Sequence, residues 1–304
     1  MGRWILLFLM GLTCLLRQQA WGATSVHLQC IRVESQEELQ EVLAALASGK
    51  GFDELAERFA PEGLRSQKGY LGEVTMDRLA SDVRRSLGGV GPGGVSPPVP
   101  VEGGWFLFRV LDAAGVSGYR VGEESPWFYL ERGILLGELG DLEGEMEAYR
   151  KSISLDPRLA PARANLGEAL RRRAMGLLGE GRGSPSPDVS RKATELMDEA
   201  IDELKAAIAL DGELWEAHFN LGLAYAAQGL VDLTILEFRE AVRIKPDSGE
   251  LRRSLALALL TQGRLQEAKE EARKAEELGV QVGDVMARIQ DRFRKGGPQR
   301  HGGQ

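Results

Sequence analysis

Histidine and cysteine, the side chains best suited to acid, base or nucleophilic chemistry near neutral pH, are few in this chain, and they are scattered. Its three histidines are His27, His218 and His301, and its two cysteines are Cys14 and Cys30. No histidine stands at ligand spacing from a cysteine or joins a carboxylate cluster, so the pattern predicts no metal and no other cofactor. His27 and Cys30 are close in sequence, within residues 26–33, which read as a short strand. Side chains alternate faces along a strand, so residues three apart point opposite ways and cannot act on one substrate atom unless a bulge intervenes. Cys30 reads as a small buried hydrophobe and His27 as a strand residue on the partly exposed face.

Charge and composition exclude one class of partner. Lys and Arg number 38 against 45 Asp and Glu, a formal charge of -7. Loss of residues 1–22 would remove Arg3 and Arg17 and no acid, taking -7 to -9. An acidic chain without a dense basic stripe predicts no nucleic acid. Arg3 precedes the apolar run WILLFLMGLTCLL, and AWGA follows it. That run is too short to span a bilayer and suits a secretory signal over residues 1–22, cut before Ala23. Export to a periplasm or beyond the cell is the expectation, with no stable membrane span afterwards. An uncleaved signal acting as a membrane anchor is the alternative. Cys30 would then be the remaining cysteine, which rules out an internal disulfide.

The elements that must position these residues fall into two textures. Residues 23–115 read as a small α+β domain. Strands are expected at 26–33, 69–74, 95–99 and 105–111, and helices at 35–47, 52–59 and 77–87, with Ser35 and Glu38 at capping-box spacing. Its expected core is Ile31, Leu39, Val42, Leu46, Phe59, Leu71, Leu87 and Val110.

Residues 126–280 repeat. Gly222, Tyr225, Gly229 and Phe238 are followed 34 residues later by Ala256, Leu259, Gly263 and Ala272, and Gly133 and Leu136 lead in the same way to Gly167 and Leu170. The period resembles the tetratricopeptide family, with His218, Leu221, Gly222, Tyr225, Thr234, Phe238 and Pro246 near the family pattern. The resemblance implies four antiparallel helix pairs stacked as an all-α solenoid, because no single pair can bury its own apolar face. An insertion near residues 175–195 is expected as a loop at 179–188, residues 281–295 as a capping helix, and 296–304 as a disordered tail. The family binds protein or peptide segments along the leading helices. Carried onto this chain, that implies partner contacts at Trp127, Leu130, Ile134, Asn165, Phe219, Asn220 and Leu223. For both asparagines, helix-to-helix hydrogen bonding is an equal reading.

In the first domain the succession FDELAERFA, KGYLGEV and GPGGVSPPVPVEGGWFLFRV resembles the parvulin family of peptidyl-prolyl isomerases, found in exported folding factors and chaperones. The fold class expected is therefore an α+β parvulin-like domain followed by a tetratricopeptide solenoid. In that family two histidines and an intervening Cys or Asp supply the polar part of the site. Their positions fall here on Cys30, Tyr70 and Phe106, all changed. An apolar groove for a prolyl segment is implied at Tyr70, Leu71, Leu79, Val83, Trp105 and Phe106. The expectation is a protein of isomerase ancestry, weak or inactive in catalysis, that binds prolyl or unfolded exported segments. A non-enzymatic scaffold or assembly factor is the alternative.

Overall fold

The computed structural model describes residues 25–116, 119, 125–179 and 185–295. The expected signal at 1–22 and the expected tail at 296–304 lie outside the described residues. The chain divides into two compact units, Met1–Pro157 and Arg158–Gln304.

In the first unit, β1 (Ser25–Val33) is followed by α1 (Gln36–Ala47), α2 (Phe52–Phe59) and the short α3 (Glu62–Arg65). Then come β2 (Tyr70–Thr75), a 3-10 turn at Met76–Arg78, α4 (Ser81–Leu87), β3 (Val99–Val101), β4 (Gly104–Leu111) and α5 (Ala113–Val116). The strands make one antiparallel sheet in the order β2-β1-β4-β3. Ser35 starts α1 as its chemistry suggests: its hydroxyl accepts from the Glu38 amide at 3.1 Å, and the Glu38 carboxylate accepts from the Glu34 amide at 2.9 Å. Residues 95–99 do not form the strand expected of them. Val95 makes a single bridge to Arg109 and β3 begins only at Val99, because Pro97 and Pro98 have no N–H to give to a ladder.

Alternation along β1 and β4 separates two cores. Ile31, Val33 and Leu107 pack with Leu39, Val42, Phe52, Leu55 and Phe59 from α1 and α2. Leu28, Cys30, Phe106, Phe108 and Val110 point the other way, toward Leu71, Leu79, Val83 and Leu87. A second helix pair completes this second core: α6 (Pro126–Glu138), ending on Leu139, and α7 (Leu142–Leu155). Leu135, Leu136, Leu139 and Ala148 are buried in it. Full burial of a leucine is worth about 1.5–3 kcal/mol, against about 0–1 for an exposed ion pair, so these leucines, more than the charges around them, hold the pair in place. The pair also explains why one helix over 77–87 is not observed. Leu79 is extended, and the Ala80 amide donates to the Leu139 carbonyl at 2.7 Å instead of continuing a helical ladder.

Every regular element described in the second unit is a helix: α8 (Ala160–Gly179), α9 (Pro187–Leu210), α10 (Trp215–Ala227), α11 (Val231–Ile244), α12 (Gly249–Gln262), α13 (Leu265–Glu277) and α14 (Gly283–Lys295). The recurrent glycines are places of contact. A Cβ on Gly222 would stand 2.5 Å from the Phe238 ring, and one on Gly133 in the first unit 2.4 Å from the Tyr149 ring. The α14 helix covers the end of this unit with Val285 and Ile289 buried. The insertion is not simply a loop. The α8 and α9 helices run to 20 and 24 residues, against 13 and 14 in α10 and α11, so most of the extra length is helical. Ser186, Pro187 and Asp188, expected inside a loop, form the cap and first turn of α9. Residues 180–184 lie outside the described residues.

Candidate functional site

The six residues expected to line one prolyl groove divide between the two faces of the sheet. Leu71, Leu79, Val83 and Phe106 share the core that α6 and α7 complete. Trp105 neighbours Phe106 on β4 and therefore packs against the opposite core. Tyr70 also faces away: it pairs with Gln29, and Leu71 is the extra residue of β2 between this pair and Leu28–Gly72. A single groove containing Tyr70 and Trp105 together with Phe106 does not exist in this fold. The reason is the strand period, which sends neighbours to opposite faces; on β2 it is Leu71 that shares the face of Cys30.

The three altered polar positions are separated likewise. Cys30 and Phe106 lie on one face, 1% and 0% exposed. Phe106 stacks on Phe108 with ring centroids 5.6 Å apart. Burial, then the negative charges of Glu131 and Glu138, push the Cys30 thiol up to about 12, so it is a neutral thiol without nucleophilic character at physiological pH. Neither side chain offers a charge or a strong donor to a twisting amide. Above Phe106 stands the Arg32 guanidinium, 5.7 Å from the ring centroid, paired with Glu138 at 2.9 Å. Glu131 is raised by burial first and by the charge of Glu138 second, with Arg32 opposing.

The face carrying Tyr70 holds a polar network that the sequence did not reveal. His27 Nδ1 lies 2.8 Å from the Tyr70 hydroxyl, and the Tyr70 ring stacks on Tyr119 at 4.9 Å. The Tyr119 hydroxyl donates to Asp53 at 3.0 Å, as do Gln29 at 3.1 Å and Arg109 at 2.9 Å. Burial alone would raise the Asp53 carboxyl, but the bonds from Gln29 and Tyr119 and the charge of Arg109 outweigh it and hold it low. The Tyr119 phenol is pushed up to about 12 by burial, with the Asp53 bond adding to the shift. The network ties β1, α2, β4 and the chain leaving the domain together. Tyr119, far from the others in sequence, carries no local signal of this.

Space beside the covered face is charged. A cleft of about 130 Å3 between β2 and the α6/α7 pair is lined by Glu73, Arg78, Arg132, Asp141 and Glu147 among others, which is poor chemistry for a proline ring.

The residues expected to bind partners meet different fates. Trp127 is 57% exposed on the first turn of α6, whereas Leu130 is 6% exposed and unavailable as a groove contact. Ile134 and Asn165 are half-buried. In the second unit Phe219 packs on Phe238 with centroids 5.3 Å apart, and Asn220 is buried. Leu223 lines a cleft of about 290 Å3 with Ala226, Val231, Phe238, Leu257 and Ala258, drawn from α10, α11 and α12. Among the described residues no group of His, Cys, Asp and Glu could hold a metal ion, and no helix is long and apolar enough to cross a membrane.

Comparison with known families places these two architectures. Residues 29–112 match the rotamase model of the PPIC-type PPIase domain. Tetratricopeptide repeat models match residues 128–159, 197–229, 216–248 and 235–279. No curated protein matches the chain. Among solved structures, TTC0263, a thermophilic TPR protein in Thermus thermophilus, is 22% identical, covering 56% of this chain and 82% of its own, with a TM-score of 0.45. MamA is 25% identical over 53% of this chain and 81% of its own, with a TM-score of 0.42.

Proposed function

We propose that this chain, a PPIC-type PPIase domain followed by tetratricopeptide repeats, works as an exported protein-binding factor whose isomerase chemistry is weak or absent. The observation that carries this reading is that Cys30 and Phe106, both buried in one core, stand at the positions where the parvulin resemblance calls for histidines. Rotation about a peptide bond faces a barrier of about 18–20 kcal/mol because it breaks amide resonance. A catalyst lowers it by holding the twisted amide better than the planar one, through polar groups placed in advance. Removal of one such group commonly costs a factor of about 10²–10³. Here the positions hold a neutral thiol and a phenyl ring.

Binding then rests with the repeats. The cleft around Leu223 is lined mostly by apolar side chains of three helices, with Thr234, Ser254 and Thr261 among them, and supports contact with an extended segment or helix of a partner protein, and Trp127 is the exposed aromatic anchor in the first unit. Export follows from the apolar run at residues 4–16 and the small residues after it. The test is cis/trans exchange of blocked X-Pro tetrapeptides, varied at X and followed by exchange NMR with the full chain. The reading requires rates equal to those of the peptide alone or only slightly above them. Strong acceleration that Cys30→Ala or Phe106→Ala abolishes would overturn it.

A further inference from the structure

We infer that the α6/α7 helix pair is the resident ligand of the sheet face where the parvulin resemblance puts the prolyl groove, so that an external X-Pro peptide and the pair compete for one surface. This rests on the resemblance that underlies the proposed function, but not on whether any catalysis survives.

The contact has the parts of a recognition site. Its apolar part is Leu135, Leu136 and Leu139, buried with Leu71, Leu79, Val83 and Phe106. Its backbone part is the Ala80 amide donating to the Leu139 carbonyl at 2.7 Å. Ala80 follows an extended residue just before α4, so without the pair this amide would be free to meet the carbonyl of an extended peptide. Its shape part is Gly140, at φ +83° in the turn between the two helices. A Cβ there would lie 3.0 Å from both the Ala80 nitrogen and Cβ. The rim is polar: Arg32 pairs with Glu138 at 2.9 Å, Arg78 with Glu147 at 3.2 Å, and Arg132 donates to the Glu73 carbonyl at 2.7 Å. An apolar centre, a main-chain bond and a charged rim are what a specific peptide-binding face presents to its ligand.

Competition has a quantitative consequence. A ligand whose site is open only part of the time binds with its affinity reduced by that fraction. Loosening the pair therefore strengthens peptide binding, although nothing is added to the site. Two full-chain variants loosen it differently. Leu139→Ala removes a buried side chain, while Glu138→Lys leaves the core intact and sets like charges against Arg32 at an exposed rim. The probe is a blocked Ala-Ala-Pro-Phe peptide, titrated while the methyl signals of Leu71, Leu79 and Val83 are followed by NMR, with circular dichroism melts on each variant. The expected result is no shift of these methyls in the unaltered chain and binding at least about tenfold tighter in the variants. If Leu139→Ala does not fold, Glu138→Lys decides alone. Peptide shifts at these methyls in the unaltered chain with the Ala80 amide still protected from exchange would overturn the inference. So would folded Glu138→Lys that binds no more tightly than the unaltered chain. Peptide binding by the variants without acceleration of exchange satisfies both readings, whereas acceleration by the unaltered chain defeats only the functional one.

Discussion

The first and third helix pairs follow one repeat pattern and put it to different use. Gly133 faces Tyr149 in α6/α7, and Gly222 faces Phe238 in α10/α11, 89 residues on, with the same close approach. Gly140 and Gly229 both take the left-handed conformation in the turn. Around this shared frame the surfaces diverge. Leu139 is buried against the sheet and its counterpart Gln228 is exposed. A Cβ at Gly140 would press on Ala80, whereas one at Gly229 would meet nothing within 4 Å. The repeat motif dictates how two helices meet each other. What a pair does with its outer surface is decided by the positions the motif leaves free, and in the first pair those positions attach it to a different kind of domain.

The sharpest way to break this comparison is to remove the first pair. A chain stopped after residue 120 exposes Leu71, Leu79, Val83 and Phe106, and is expected to lose cooperative thermal unfolding by circular dichroism. A chain stopped after residue 157 is expected to keep it. Equal, cooperative melts for both would mean that the sheet domain is complete without α6 and α7.

Single substitutions should separate the pairs next. Leu136→Ala or Leu139→Ala should cost about 2–5 kcal/mol in urea unfolding, as for other buried leucines, whereas Gln228→Ala should stay within about 0.5 kcal/mol. What the pairs share should respond equally. Gly133→Ala and Gly222→Ala each drive a methyl into an aromatic ring and should each cost about 1–3 kcal/mol. A large difference between the two glycines would show that the common frame is not common.

The folds of both parts were legible because they rest on local rules. Ser35 and Glu38 announced α1, and the recurrence of Gly222 at Ala256 announced the helix pairs. Of the expected core residues, Ile31, Leu39, Val42, Phe59, Leu71, Leu87 and Val110 are buried, and Leu46 is only partly buried. The site was less legible, for two physical reasons. The resemblance places Tyr70 with Phe106, but Leu71 is an extra residue in β2 between the Gln29–Tyr70 and Leu28–Gly72 pairs, and this shift puts Tyr70 on the other face. The cover over Phe106 comes from Leu135, Leu136 and Leu139, about thirty residues beyond the resembling segment, and a leucine on a repeat helix reads the same whether it meets another repeat or a sheet. The helical insertion was hidden because Ser-Pro-Asp serves equally as a loop and as a helix start.

The smallest effect concerns charge at the covered face. Glu131 has a folded pKa above its unfolded value. Its favourable contribution is complete below the unfolded value of about 4.3 and is lost as pH rises through the folded one. Glu131→Gln should therefore raise the melting midpoint at pH 7 and leave it unchanged at pH 4. A rise of the same size at both would assign the effect to something other than the carboxylate.

The seat of the first pair is tested most directly by native-state hydrogen exchange at the amide of Ala80, which donates to Leu139 at 2.7 Å. If α6 and α7 seat on the sheet domain, this amide is protected and exchanges only through rare opening of the pair, at least about a hundredfold more slowly than an exposed amide. Exchange at Ala80 at the rate of an exposed amide, with Leu28 and Phe108 still protected, would contradict the account.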